Sequence, residues 1–245
     1  MKKFICIIFI LFFTNIFATK EINIGLDDTF APMGFRGKTG EIEGFDIDLA
    51  REVCKRLDLK PNFIPCDWDG IIFMLNTNRI DLIWNGLTVT PKRKEQMLFS
   101  ENYLQDGQLI LVNRNSNIKN INQLENKILG VQMGSASYFA LEKSDLSKNI
   151  KAVQKYYSNV EALLDLEAGR ISGVVIDEVV GRYYLGKTKK LEGFNLDVPK
   201  ENFAVGMRKT DKELQLKINK SLKEIHEDGT FNKIYDKWFT NKEEN

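Results

Sequence analysis

What most constrains the fold of this chain is an alternation of short strand-like and helix-like segments that occurs twice along it. In the first half, residues 22–28 (INIGLDD) alternate apolar and polar side chains and run into a loop at Phe30-Ala31-Pro32. Residues 44–57 then space Phe45, Leu49, Val53 and Leu57 so that a helix carries them on one face. Residues 62–64 read as a strand, 68–80 as a helix with Ile72, Phe73 and Leu75 inward, and 81–84 as a buried strand. The second half repeats the scheme, with strands at 128–132, 150–156 and 173–177 and helices at 136–142 and 159–170. Strands separated by helices imply mostly parallel sheets covered by helices, an α/β architecture.

The halves also match locally. A shift of 91 residues lays Leu75-x-x-x-Arg79-Ile80 over Leu166-x-x-x-Arg170-Ile171, with Ile83 over Val174, Asn85 over Ile176 and Gly86 over Asp177. Two related lobes are therefore expected. Ligands of open α/β sheets gather beyond the carboxyl ends of the strands, so Asn85-Gly86 and Ile176-Asp177 would approach one shared cleft. A further apolar strand is expected at 203–207, followed by helices ending in FNKIYDKWF. No low-complexity linker separates the halves, which suits short crossing strands and hinge closure.

Composition narrows the chemistry. The 245 residues carry 35 Lys+Arg against 34 Asp+Glu, a balance that argues against a nucleic-acid binder. One histidine, His226, and three cysteines leave little for a zinc site or an imidazole-based nucleophile pair, and no cofactor is expected. No phosphate-binding loop or nucleophile elbow is present. Met1-Lys2-Lys3 followed by an apolar run to Phe17 and a small residue at Ala18 has the parts of a secretory signal peptide over residues 1–18. The run is shorter than the ~20 residues of a membrane-spanning helix, although an uncleaved anchor is the alternative. Cys6 lies inside the run, not at its end, so no lipoprotein cysteine is expected. Export would permit a disulfide between Cys54 and Cys66, with two free thiols the competing reading.

Several blocks occur in a specific order: FAPMGF, GFDIDLAREVCKRL, WDGIIFML, RIDLIWNGLTVTPKRKE, FSENYL, LGVQMGSAS, GVVID and DGTFNKIYDKWF. In them the chain resembles the bacterial extracellular solute-binding proteins of the polar amino-acid family (family 3), receptor components of ABC importers. The resemblance spans essentially the whole chain after the leader. It implies a two-lobe periplasmic-binding-protein-like fold of type II, each lobe a mixed sheet flanked by helices, with two hinge crossings. The expected division is 19–104 for the first part of lobe 1, 105–200 for lobe 2 and 201–245 for the return to lobe 1. It further implies a monomeric periplasmic receptor that passes a free L-amino acid, polar or basic in its side chain, to permease subunits in the inner membrane.

A free amino acid is a zwitterion, so a buried site must offer its carboxylate a cation and its ammonium an anion. By the resemblance, Arg93 in T-x-T-P-K-R takes the α-carboxylate, a task suited to a guanidinium fork. Asp177 takes the α-ammonium, although an Asp directly after a strand could instead cap the helix that follows. Gly86 and Thr88 match the family's G-x-T positions, where backbone and hydroxyl groups reach the ligand; a plain turn is the other reading. Gly134-Ser135-Ala136-Ser137 opens a helix whose free N–H groups favour a carboxylate, with the Ala136 N–H the candidate donor and Ser135 or Ser137 a cap or a contact. Phe30 and Trp68 correspond to aromatic walls, or else to core packing. Asp27, Gln132 and Ile176 stand near the ligand side chain, and Asn85 ends a strand at the cleft. Ile176 occupies a place where some glutamine-binding relatives have histidine. The competing function is an exported enzyme of the same fold, a cyclohexadienyl or arogenate dehydratase, for which Asp27 and Glu178 are the nearby acid/base candidates.

Overall fold

A computed structural model describes residues 20–240; the leader, its cleavage position and Cys6 lie outside them. Two five-stranded sheets form the cores of two lobes. The first has the order Leu59–Pro65, Lys20–Leu26, Leu82–Ile83, Gly206–Met207, Leu98–Phe99. The second has the order Ala152–Tyr156, Ile128–Gln132, Gly173–Asp177, Gln108–Asn113, Leu191–Asn195. In each, the first three strands run parallel and the fourth is antiparallel to its neighbours, so the sheets are mixed, with one reversed strand among the five. Between them, Leu104–Asp106 pairs antiparallel with Glu201–Phe203, with Asp106 directly opposite Glu201. These two strands carry the chain from the first sheet to the second and back.

The internal repeat is built into the packing. Ile24 and Gly25 pair with Leu82 and Ile83, while Leu129 and Gly130 pair with Gly173 and Val174; the shift of 91 carries Leu82 and Ile83 onto Gly173 and Val174. A Cβ on Gly25 would lie 2.4 Å from Ile80 Cδ1, and one on Gly130 would lie 2.6 Å from Ile171 Cδ1. Both lobes thus press an isoleucine from the helix-to-strand turn onto a glycine of the first parallel strand. Overpacking of this kind costs about 1–3 kcal/mol, so Gly25→Ala and Gly130→Ala should each lower unfolding stability by that amount. Ile80→Val removes the offending methyl. The Gly25→Ala/Ile80→Val double variant should therefore be less destabilised in denaturant unfolding than the sum of its singles; strict additivity would exclude the clash as the cause.

Helix faces follow the spacing with one correction. Phe45, Leu49 and Val53 of the Phe45–Arg56 helix are buried, and the Phe45 ring meets Phe231 and Tyr235 edge-on and Phe239 at a tilt. That contact fastens the C-terminal segment to the first lobe. The expected long helix after Trp68 is a 3₁₀ turn at Trp68–Gly70 followed by a short helix at Ile71–Asn76. Its inward residues are Ile71 and Leu75, one turn apart, whereas Phe73 is 63% exposed. Phe73 stands two positions from each of them, which at 3.6 residues per turn places it on the opposite face. The single strand expected at 203–207 is two: Glu201–Phe203 belongs to the crossing pair and Gly206–Met207 to the first sheet. Cys54 and Cys66 are both free. His226 stacks on Phe231 with 4.0 Å between ring centroids, within the terminal helices.

Candidate ligand-binding site

The strands of both sheets end at one cleft. Phe30, Trp68, Asn85, Gly86, Thr88 and Arg93 from the first lobe face Gln132, Ser135, Ala136 and Asp177 from the second around a single enclosed space. Nine of the eleven residues expected at the site line it. Asp27 stands just behind, joined to Gln132, and Ser137 is buried in the first turn of the Ala136–Lys143 helix without reaching the space.

Arg93 is placed by the helix that opens at Thr90-Pro91. Thr90 Oγ1 accepts the Arg93 N–H at 3.2 Å, a side-chain cap, and Pro91 supplies the preset φ of a first helical position. Arg93 is only 7% exposed. One Nη donates to the Thr88 carbonyl at 2.9 Å and the other to the Gly134 carbonyl of the facing lobe at 3.1 Å. Its Cζ lies 5.6 Å from the centre of the Trp68 ring, a cation–π arrangement. Burial lowers its pKa to about 10, opposed by the carboxylates of Asp177 and Glu201, so it stays charged at neutral pH.

Asp177 closes the buried strand Gly173–Asp177 and is 5% exposed. Its side chain makes no cap to the helix that follows. Gln108 Nε2 donates to its Oδ1 at 2.8 Å instead. Burial pushes its pKa up to about 7; the Gln108 bond opposes this, Glu201 adds to it, and Arg93 again opposes it. Glu201 is itself raised by burial. Arg93 and Lys143 oppose that rise, while Asp177 has Arg93 as its one opposing cation.

Gly86 follows the Leu82–Ile83 strand with φ +56°, and a Cβ there would lie 2.7 Å from the Phe30 ring. Its N–H donates to Asp46 Oδ2 at 2.6 Å, and the Tyr103 hydroxyl donates to the same oxygen at 3.0 Å. Asp46 is fully buried, and desolvation pushes its pKa to about 7. Sequence reasoning missed this residue. The signal was available: Asp46 shares the buried stripe of its helix with Leu49, Ala50 and Val53, where an acid needs a buried donor. Gln108 was missed as well, because nothing local to QLILVN marks its first residue as facing an acid 69 positions away.

Toward the ligand side-chain end, Asp27 Oδ1 accepts from the Thr29 N–H and hydroxyl at 2.9 and 2.7 Å. Its Oδ2 accepts from Gln132 Nε2 at 2.6 Å, across the cleft. Asn85 Oδ1 accepts the Asp27 N–H at 3.1 Å, and Gln132 also donates to the Tyr157 carbonyl. Burial raises the Asp27 pKa. The Phe30 and Trp68 rings stand 6.5 Å apart between centroids and within 7° of parallel, two flat walls of the space. Ser135 caps the Ala136–Lys143 helix by accepting the Tyr138 N–H at 3.1 Å, and Ala136, whose N–H has no intrahelical acceptor at this first position, lines the space. Of the two acid/base candidates, Glu178 is held by Arg182 on the helix surface, and both oxygens of Asp27 are engaged. Among the described residues, no group of three or more His, Cys, Asp or Glu could hold a metal ion.

The chain is similar in sequence and fold to known proteins. The lysine/arginine/ornithine-binding periplasmic protein of Escherichia coli K12 is 33% identical over 230 residues, covering 90% of this chain and 88% of that protein. A histidine-bound ABC uptake transporter substrate-binding protein from Streptococcus pneumoniae superposes with a TM-score of 0.87 at 38% identity, covering 89% of this chain and 92% of the other. An ancestral arginine-binding protein bound to arginine gives a TM-score of 0.84 at 38% identity, with coverages of 89% and 98%. These relatives are binding proteins and not enzymes. The family model for bacterial extracellular solute-binding proteins, family 3, matches residues 22–241, and the chain belongs to that family.

Proposed function

We propose that the protein is a periplasmic receptor that captures one free L-amino acid between its lobes and delivers it to the permease of an ABC importer. One observation carries this: Arg93 and Asp177, of opposite charge and both buried, face the same enclosed space from different lobes. The ligand carboxylate meets the Arg93 guanidinium and the Ala136 N–H at a helix start. Its ammonium meets Asp177 and the backbone around Gly86. The side chain extends between Phe30 and Trp68 toward Asp27 and Gln132, where a buried carboxylate favours a basic or strongly polar group. Closure then desolvates the ligand and offers both lobes together to the permease. Residues 1–18 act as the leader, cleaved near Ala18; 19–104 and 201–245 make one lobe and 105–200 the other, and the mature chain works as a monomer.

A thermal-shift screen with the twenty L-amino acids, ornithine and cystine tests this. At 100-fold excess over Kd the correct ligand should raise Tm by about 5–10 °C, with arginine, lysine, ornithine or histidine leading. A screen in which none of these compounds moves Tm would contradict the assignment.

A further inference from the structure

Asp177 occupies the position from which an Asp would ordinarily cap its own helix, yet its side chain makes no cap. The cap comes from elsewhere. Asp106, 3% exposed and the last residue of the crossing strand Leu104–Asp106, accepts the Val179 N–H on Oδ1 at 3.1 Å. The Gly107 carbonyl accepts the Glu178 N–H at 2.9 Å. Gln108 then donates to Asp177 Oδ1 at 2.8 Å. Three consecutive residues leaving the hinge therefore satisfy three consecutive residues at the start of the Glu178–Lys187 helix.

We propose that Asp106 is a positioning residue for ligand binding: by capping the helix in place of Asp177 it keeps the Asp177 carboxylate free for the ligand ammonium, and it ties that carboxylate to the hinge strand. Capping and ligand binding compete for the same oxygens of Asp177. With Asp106 in place the helix has its acceptor, and Gln108 aims Asp177 into the cleft. Without it, Asp177 is the nearest side chain able to take the Val179 N–H, and turning to do so withdraws it from the ligand. The position of Asp106 on the crossing strand also means that its carboxylate moves with the segment that bends when the lobes close.

The competition gives the test. Calorimetry with each of the twenty L-amino acids identifies the tightest ligand of the wild type, which is then titrated into the variants; this arm rests on the receptor reading above. Asp106→Asn keeps an oxygen acceptor and should bind within about threefold of wild type, whereas Asp106→Ala should bind about tenfold more weakly. Gln108→Met removes only the donor that aims Asp177 and should weaken binding by a similar factor, which keeps the test open if Asp106→Ala does not fold. Amide exchange at Val179 supplies an arm that needs no ligand. Val179 should stay protected in Asp106→Ala, where Asp177 takes over the cap, and lose protection in the Asp106→Ala/Asp177→Ala double variant. A wild type that binds none of the amino acids would sink the receptor reading and leave the exchange arm to decide the capping role of Asp106. Wild-type affinity in Asp106→Ala, or a Val179 amide that opens in that single variant, overturns the proposal.

Discussion

Arg93→Ala should abolish high-affinity amino-acid binding while leaving both lobes folded. The substitution removes the cation that the ligand carboxylate requires. It also removes the bridge from the Thr88 carbonyl to the Gly134 carbonyl, a direct hydrogen-bonded link from one lobe to the other. What remains is uncompensated: buried Asp177 loses the cation that faces it, and half-buried Glu201 is left with Lys143 alone. Truncating one member of a buried, hydrogen-bonded charge pair costs about 2–5 kcal/mol, which weakens binding about 30-fold or more. Arg93→Lys should recover only part of the loss. A single ammonium keeps the charge, but it cannot hold the planar fork that meets two carbonyls and a carboxylate together. Calorimetry on both variants reads these effects, and binding of Arg93→Ala within about threefold of wild type would remove Arg93 from the site.

Asp177→Asn should be nearly as damaging, and it carries a pH signature. Asn keeps the shape and an acceptor for Gln108 but lacks the charge that pairs with an ammonium, so a loss again in the range of about 2–5 kcal/mol is expected. In the ligand-free protein Asp177 titrates near pH 7, well above an ordinary carboxylate, because it is buried and faces Glu201. Asp106 beside it is raised to about 8, by burial and by Asp177 in turn. The bound ammonium favours the ionised form, so binding below pH 7 must release a proton. Wild-type affinity should therefore fall as pH drops through 7, by about tenfold per unit once well below it, and level off above. Asp177→Asn should lose most of that dependence. A wild-type affinity that is flat from pH 5 to 8 would show that Asp177 is not the ammonium partner.

Much of the fold was legible because the two lobes repeat one local pattern. The match of Leu75, Arg79 and Ile80 with Leu166, Arg170 and Ile171 is a packing rule: each isoleucine closes onto the glycine of a parallel strand, Gly25 or Gly130. Strand ends were legible for the same reason, which placed Gly86 and Asp177 at the cleft. The residues that hold the site together were harder to read, because their partners are distant in the chain. Asp46 grips the Gly86 amide 40 positions away, and Asp106 caps a helix 73 positions away. The helical stripe marks Asp46 as buried, but nothing local names the partner of either acid. Phe73 was misplaced for another reason: its apolar character suggests burial, but it stands two positions from both Ile71 and Leu75 and so lies on the opposite face of the helix.

The central claim is that the cleft clamps a zwitterion, with Arg93 on the carboxylate and Asp177 on the ammonium. It is tested most directly by comparing, in one calorimetric series, the best amino-acid ligand with its Nα-acetyl derivative and its α-carboxamide. The account predicts that each blocked compound binds at least about 30-fold more weakly than the free amino acid. Blocked derivatives that bind as tightly as the free amino acid would contradict it.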